Sequence, residues 1–329
     1  MITNSNIIDF NSKRKYLHFV KNYKNLLFTI QEDTILTIWK IEDSFQLKKV
    51  VKVPLAERFY EPNFQFIDDT LLLRGNRGNR IAIIDFQDLD SPTVIIKERE
   101  MGYIKGACIA KGKLYTQISS IYNKDYRFEV SDIPTTDNTD PISKIVIPDT
   151  DEESSAFYSL VFNETIYWVN QDSIFLMDIS EPDSPKSIVT KKIVDLGIGY
   201  PILLSDNKMI VFEIAGDVRI GLNYLDIASN SVKRKEKGLF KNHCIRGWQL
   251  IEEKLYIVHL DFKKINNERK YKTYLSCVDV SSNLVINFTK ELPIIEVYGE
   301  DNTRIVWYYI SNNKHIFLQG NGTFYELPF

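Results

Sequence analysis

The hydrophobic pattern of the chain repeats, and residues 166–189 show one repeat unit clearly. An apolar run at 166–169 is followed by a polar turn, a second apolar run at 174–177, an Asp-Ile-Ser stop and a proline-rich corner at 181–185. Short runs of β-branched and aromatic residues between turn-forming residues are typical of strands joined by tight turns. The unit is therefore predicted to be strand, hairpin, strand, turn and strand.

Apolar runs equivalent to the second strand of such a unit recur along the whole chain. Successive centres lie 45, 43, 52, 43, 46 and 50 residues apart, at Leu27, Leu72, Tyr115, Tyr167, Ile210, Tyr256 and Val306. Repeats of this length are typical of four-stranded propeller blades, and no stretch shows the 3.6-residue period of an amphipathic helix. The sequence predicts an all-β fold, a single β-propeller domain with seven four-stranded blades.

The predicted blades divide the chain into seven consecutive segments. They are approximately 12–53, 54–100, 101–150, 151–195, 196–240, 241–292 and 293–329. Residues 323–329 are predicted to be the last strand of the last blade, and residues 6–10 either add to that blade or take its outermost place, so we expect closure to involve residues 6–10. Either arrangement would tie the two ends of the chain together and protect them from fraying.

An aspartate ends the third strand in several of the units. Asp85, Asp178, Asp226 and Asp279 occupy equivalent positions in this pattern. An aspartate that precedes a turn accepts hydrogen bonds from the turn amides. These four carboxylates are therefore predicted to cap turns rather than to take part in catalysis.

The proline-rich corners carry a resemblance to a known family. The segments DISEPDSPKSIV (178–189) and DFQDLDSPTVII (85–96) resemble the LVIVD-repeat β-propeller proteins, and the similarity is best over residues 71–96 and 166–189. Other units lack one or both prolines of the corner. The resemblance implies a propeller fold and a surface or binding role without one assigned chemistry.

Composition and charge narrow the functional classes. The net charge of −3 and pI near 5.9 argue against a protein that binds nucleic acid through a broad basic surface. The sequence shows neither an export signal nor a membrane-spanning apolar stretch, so we expect a cytoplasmic protein with no membrane partner. The three cysteines are far apart, which predicts isolated buried thiols rather than disulfides or a metal site.

The loops between blades, and those between second and third strands, are expected to share one face of a propeller. Two of these loops are cationic, at 74–80 and 261–272, and aromatic residues lie near the starts of several first strands. Arginines and aromatics are the residue types from which interface hot spots are made. The candidate partner-binding residues are Arg58, Tyr60, Arg74, Arg77, Arg80, Tyr103, Tyr158, Tyr200, His243, Arg246, Lys263, Lys264 and Arg269.

Signals for catalysis are few. The histidines show none of the spacings of metal motifs, and the chain contains no G-x-S-x-G or phosphate-loop pattern. His243, beside Arg246, could serve as a base, although a hydrogen-bonded structural histidine explains it as well. We therefore predict no catalytic residue, no cofactor and no metal.

Two functional hypotheses of different classes remain. The first is a non-catalytic propeller, monomeric when unbound, that binds another protein through its loop face; an immunity protein that neutralises a toxin is one concrete form. The second is a hydrolase or lyase that acts on a sugar or lactone in the central channel. An exported adhesion or assembly factor is suggested only by the family resemblance.

Overall fold

The computed structural model describes residues 2–3, 17, 19–31, 34–42, 47–55, 59, 63–75, 79–98, 102–120, 125–133, 143–146, 158–169, 173–193, 198–205, 208–215, 218–227, 231–234, 239–261, 270–281, 284–297, 300, 303–311 and 314–328. Almost all of these residues lie in strands. The strands are, in chain order, β1 (Ile2–Thr3), β2 (Phe19–Tyr23), β3 (Leu26–Ile30), β4 (Ile35–Ile41), β5 (Leu47–Pro54), β6 (Asn63–Ile67), β7 (Thr70–Arg74), β8 (Arg80–Asp85), β9 (Thr93–Glu98), β10 (Tyr103–Ala110), β11 (Lys113–Ser120), β12 (Asp125–Asp132), β13 (Ser143–Val146), β14 (Tyr158–Phe162), β15 (Thr165–Val169), β16 (Ser173–Asp178), β17 (Lys186–Ile193), β18 (Ile198–Ser205), β19 (Lys208–Ala215), β20 (Val218–Asp226), β21 (Ser231–Arg234), β22 (Leu239–Ile251), β23 (Lys254–Asp261), β24 (Lys270–Asp279), β25 (Val285–Val297), β26 (Ile305–Ser311), β27 (Lys314–Gln319) and β28 (Thr323–Pro328).

Consecutive strands pair with one another in groups of four, and each group is one blade. Blades one to six are β2–β5, β6–β9, β10–β13, β14–β17, β18–β21 and β22–β25, while blade seven is β26–β28 with β1. Two further pairings are present, of β17 with β21 and of β20 with β22. The fold is a seven-bladed β-propeller, as the repeat predicted. Among the residues described, no helix is long and apolar enough to cross a membrane.

The hairpins between first and second strands share one local conformation. The first turn residue has a positive φ of 46–53° in five blades, at Lys24, Asp68, Lys111, Asn163 and Glu252. Two-residue hairpins need this left-handed backbone, because it matches the right-handed twist of the flanking strands. Only Lys111 is followed by the glycine that commonly marks such a turn, so strand pairing enforces the conformation in the other four.

The chain forms two compact units, the first of which contains blades one, six and seven. This unit comprises Met1–Ala56, Ile214–Leu222 and Gly238–Phe329. Within it, Leu27 and Trp39 of blade one pack with Trp307 and Phe324 of blade seven, and blades six and seven pack through a second apolar cluster. Apolar contact between neighbouring blades is therefore what holds this unit together.

The second unit comprises Glu57–Glu213 and Asn223–Lys237. Its blades also pack in sequence order: Leu72 of blade two packs against Ile104 of blade three, and Phe128 of blade three lies 5.0 Å from Trp168 of blade four, centroid to centroid. Cys108 is buried in this core, and Cys244 and Cys277 are buried in the first unit. The predicted isolated buried thiols are confirmed, and burial raises the pKa of the Cys108 thiol.

The turn-capping aspartates are confirmed where their side chains are described. Oδ1 of Asp85, Asp178 and Asp279 each accepts a hydrogen bond of 2.8–2.9 Å from the backbone N–H two residues later. Hydrogen bonds from the backbone and the side chain of Ser180 hold the pKa of Asp178 below its usual value. The side chain of Asp226 lies outside the described residues.

The seventh blade differs from the strand assignment made from the sequence. Six of the predicted second-strand centres lie in second strands, but Val306 lies in β26, the first strand of its blade. The prediction was wrong there because only three strands of this blade, β26–β28, come from this end of the chain, so β26 is the first strand and not the second. The fourth strand comes from the N-terminus: Ile2 pairs with Phe324 and Thr3 with Thr323. Residues 6–10, favoured for closure, lie outside the described residues.

Candidate functional site

About half of the predicted partner-binding residues cannot be placed. Arg58, Tyr60, Arg77, Lys263, Lys264 and Arg269 lie outside the described residues, and for Tyr200 only the backbone in β18 is described. Six candidates remain with described side chains: Arg74, Arg80, Tyr103, Tyr158, His243 and Arg246.

The two described arginines of the first cationic loop are engaged within the protein. Arg74 is the last residue of β7 and is 3% exposed, with Nη1 donating to the carbonyl oxygen of Ile104 at 3.4 Å. Arg80 Nη2 lies 2.5 Å from Glu98 Oε1 on the neighbouring strand. Arg74 is therefore a buried structural residue, and Arg80 forms a half-exposed ion pair.

The tyrosines at the starts of two first strands are more accessible. Tyr103, the first residue of β10, is 43% exposed, and Lys105 Nζ lies 5.7 Å from the centre of its ring. Tyr158, the first residue of β14, is half-buried. An exposed aromatic ring beside a cation is suited to contact with a partner, so Tyr103 is the described candidate that best fits the predicted role.

His243 belongs to a chain of hydrogen bonds that crosses blade six. Its Nδ1 lies 2.9 Å from Nδ1 of His259, whose Nε2 lies 2.8 Å from Ser276 Oγ. Ser276 Oγ lies in turn 2.7 Å from Thr289 Oγ1. The four residues come from β22, β23, β24 and β25, so the chain connects every strand of the blade.

The direction of these hydrogen bonds is the same along the whole chain. A neutral imidazole donates through one nitrogen and accepts through the other. When His259 carries its proton on Nδ1, it donates to His243, and Ser276 donates to His259 Nε2. Burial, reinforced by the neighbouring His243, lowers the pKa of His259 to about 3, although Asp261 opposes this. His259 is therefore neutral at pH 7, and the chain acts as a buried polar connection between strands.

A strained aromatic residue covers the histidine pair. Phe240 in β22 has a φ of 56°, and its ring centre lies 4.4 Å from that of His259. A non-glycine residue in this conformation is retained only where its surroundings enforce it. Here its ring packs against that of His259 and lies 6.1 Å, centre to centre, from that of His243.

Arg246 forms a second polar connection in the same blade. Its Nε donates to Glu296 Oε2 at 2.7 Å, and Glu296 Oε1 accepts from the backbone N–H of Ile305 at 3.0 Å. Glu296 is 2% exposed, and burial raises its pKa although Arg246 opposes the shift. The ion pair therefore ties β22 and β25 of blade six to β26 of blade seven.

The outermost strand of blade six carries a feature that the sequence reasoning missed. Every residue from 285 to 291 in β25 is exposed. Among the residues described, four of the six exposed large apolar side chains lie on this strand: Val285 (51%), Ile286 (42%), Phe288 (40%) and Ile295 (51%). The sequence signal was the apolar run VINF, which is also typical of a buried strand, so its exposure could not be read from the pattern.

Among the residues that the structure describes, no three side chains of His, Cys, Asp or Glu form a group that could hold a metal ion. His243 and His259 face each other through a hydrogen bond, and Cys244 is buried among Leu260 and Tyr271. The described geometry thus favours structural roles for these groups and leaves the exposed strand as the candidate site.

Neither a protein-family model nor a curated protein matches the sequence. Several solved structures are similar to it. A functionally unknown protein from Desulfotomaculum acetoxidans DSM 771 is 11% identical, with a TM-score of 0.56 over 92% of this chain and 94% of that one. The computationally designed Ika8 protein is 10% identical, with a TM-score of 0.55 over 98% and 99%. A putative 6-phosphogluconolactonase from Bacteroides fragilis NCTC 9343 is 11% identical, with a TM-score of 0.52 over 85% and 84%. At these identities the similarity shows the propeller fold alone.

Proposed function

We propose that this protein is a non-catalytic β-propeller that binds another protein. The observation that carries the proposal is the concentration of exposed apolar side chains on β25. Folded proteins rarely expose neighbouring large apolar residues, and such patches commonly mark interaction sites. Val285 and Phe288 pair with Asp279 and Cys277 on one face of the sheet, and Ile286 pairs with Val278 on the other, so a partner that follows the edge of the strand could contact all three.

The rigidity of blade six supports the same function. The partly buried hydrogen bonds from His243 to Thr289 and the Arg246–Glu296 ion pair both end on β25. A binding surface that is already ordered loses less conformational entropy on association. The polar residues that first suggested catalysis would then serve to hold the binding strand in place.

The proposal moves the main interface from the predicted loop residues to an outer strand. Tyr103 remains from the original hypothesis, because it is exposed and the cationic Lys105 lies beside its ring. The hydrolase or lyase alternative gains no specific support, since the described contacts of His243 and Arg246 are with His259 and Glu296.

The test is affinity purification of the tagged protein from its own host at native expression level, with quantitative mass spectrometry. The baits are the wild type, the double variant Ile286→Lys/Phe288→Lys, the variant Tyr103→Ala, and Val161→Lys as a matched control. Val161 is exposed to a similar degree, 38%, but lies on β14. We expect one protein to be recovered stoichiometrically with the wild type and the control, and at least about tenfold less with the double variant.

Two other outcomes would contradict the proposal in different ways. A wild-type bait that is recovered without any bound protein would contradict the protein-binding function. Loss of the partner with Tyr103→Ala but not with the double variant would return the interface to the predicted loop residues. The identity of the recovered protein tests the immunity hypothesis, which requires a toxin domain.

A further inference from the structure

We propose that residues 285–291 of β25 bind an extended segment of the partner as a fifth strand of blade six, with a carboxylate of that segment opposite Lys290. The inference rests on the proposed function and specifies how the partner binds and which chemistry it presents.

The first observation is the position of β25 in its sheet. One edge of β25 pairs with β24, from Asp279 opposite Val285 to Lys270 opposite Val297. In the part of the chain described, no strand pairs with the other edge. The backbone N–H and C=O groups on such an edge are a template for an added strand, whose main-chain hydrogen bonds provide affinity.

The second observation is exposure on both faces. A strand in a packed sheet usually alternates buried and exposed residues, as β25 does from Leu292 to Glu296. From 285 to 291 every side chain is exposed, so both faces of this segment are accessible. An added strand could therefore place alternate side chains against Val285, Ile286 and Phe288 without displacing any part of the protein.

The third observation is that the segment is held in a defined conformation. The Thr289 hydroxyl is hydrogen-bonded to Ser276, and Lys272 Nζ lies 2.8 Å from Glu291 Oε1. Asn287 Nδ2 lies 3.9 Å from Cys277 Sγ, at the bulge in the pairing with β24. Because the strand is already ordered, a binding segment needs to order only itself.

The charge of the segment determines what kind of strand fits. Lys290 is exposed, and no carboxylate of the described residues forms an ion pair with it, whereas Glu291 is paired with Lys272. A carboxylate opposite Lys290 would complete a cross-strand ion pair. The complementary segment is thus an acidic residue flanked by alternating apolar ones.

A second copy of the chain fits this edge less well. In a twofold antiparallel pairing, the residue across from Lys290 would come from the same segment of the other copy. Residues opposite each other in a sheet point to the same face, and Glu291 points to the face opposite that of Lys290, so Lys290 would face an uncharged side chain or another Lys290. A carboxylate opposite Lys290 would therefore come from a different polypeptide.

The experiment selects a displayed library of random ten-residue peptides against the wild-type protein. Affinities of the enriched peptides are then measured by fluorescence anisotropy for four proteins: the wild type, Ile286→Lys/Phe288→Lys, Lys290→Glu and Val161→Lys. Near-ultraviolet circular dichroism establishes that each variant is folded. Hydrogen exchange of the backbone amides in 285–291 is followed with and without peptide.

We expect enriched peptides with alternating apolar residues and one aspartate or glutamate. Their affinity should fall at least about tenfold for the double variant and remain within about twofold for Val161→Lys. Lys290→Glu should reverse the preference, so that a peptide with lysine in place of its acid binds better. Amide exchange in 285–291 should slow in the complex.

Failure of this inference can be separated from failure of the proposed function. If a host partner binds while exchange in 285–291 is unchanged, the protein binds partners but not by strand addition. A library without enriched peptides, or peptides that bind the double variant equally well, would overturn the inference. Self-association that the double variant abolishes would assign the edge to a second copy.

Discussion

Strands β5 and β25 occupy the same position, as the fourth strands of blades one and six, but their exposed surfaces differ. On β5 the exposed residues are Lys48, Lys49, Lys52 and Pro54, while Val50 and Val51 are half-buried. On β25 Lys290 and Pro293 are exposed as well, but the exposed residues before them include Val285, Ile286 and Phe288. Lysine and proline on an edge strand discourage pairing with other chains. The edge of β5 carries such residues along its length, whereas residues 285–288 of β25 carry none.

The difference shows that the propeller fold does not decide which of its outer strands can bind a partner. Each blade ends in an outer strand, and the side chains on it determine whether that edge is available. β25 has in addition two polar connections, a partly buried one at Thr289 and a buried one at Glu296, which keep the strand in register. Availability and rigidity together distinguish a docking strand from an aggregation hazard.

The largest expected effect comes from detaching β25 from the blade. Arg246→Met removes the partner of the buried Glu296 carboxylate, which should lower the free energy of unfolding by about 3–5 kcal/mol because an uncompensated buried charge remains. Urea denaturation at pH 7.5 measures the change.

The matched control is Lys272→Met, which breaks the exposed ion pair of Glu291 on the same strand. Both side chains are roughly half exposed, so the expected loss is below about 1 kcal/mol. An equal loss of unfolding free energy in the two variants would contradict the inference that the buried Arg246–Glu296 pair holds β25 more strongly than the exposed pair does.

The second effect is a pH dependence that originates in the chain leading to Thr289. The pKa of His259 is about 3 in the folded protein, below its ordinary value of 6.5. Between these two pH values the histidine is therefore protonated in the unfolded state and neutral in the folded state. Stability from this group is complete above pH 6.5 and falls by about 1.4 kcal/mol per pH unit as the pH decreases towards 3.

Urea denaturation between pH 7.5 and pH 4.5 tests this dependence in the wild type and in His259→Gln. Glutamine can still bond to Ser276 but does not titrate, so the variant should lose stability less steeply with acid. His315, whose pKa is also lowered by burial, is present in both proteins and cancels in the comparison. If the free energy of unfolding has the same slope against pH in both proteins, His259 is not a buried neutral histidine.

The smallest change in stability is expected from exchanging the surfaces of the two strands. Lys48→Ile/Lys52→Ile would remove the protection of β5, and Ile286→Lys/Phe288→Lys would protect β25. Each substitution should alter the free energy of unfolding by less than about 0.5 kcal/mol, because all four side chains are exposed.

Association should nevertheless change in opposite directions. Sedimentation velocity at increasing concentration should show new self-association for the β5 variant and none for the β25 variant. Indistinguishable behaviour of both variants and the wild type would mean that edge lysines do not control pairing in this protein.

The features that the sequence alone determined are local or periodic. The spacing of apolar runs located six second strands, because each blade repeats one strand pattern at a nearly constant interval. The aspartate caps were predictable because each bond spans only two residues. Val306 was misplaced because the last blade takes β1 from the other end of the chain, and no local pattern shows such a pairing.

The candidate site depended on tertiary structure. The sequence placed Arg74 in an exposed cationic loop, and Arg246 and His243 at a binding surface, but Arg74 is buried and the other two bond to Glu296 and His259. No residue of 285–288 was a candidate from the sequence, yet all four are exposed. Burial depends on which distant segments pack against a residue. The sequence therefore determined the blades, while the packing between strands far apart in the chain decided which polar residues became structural and which apolar strand remained open to a partner.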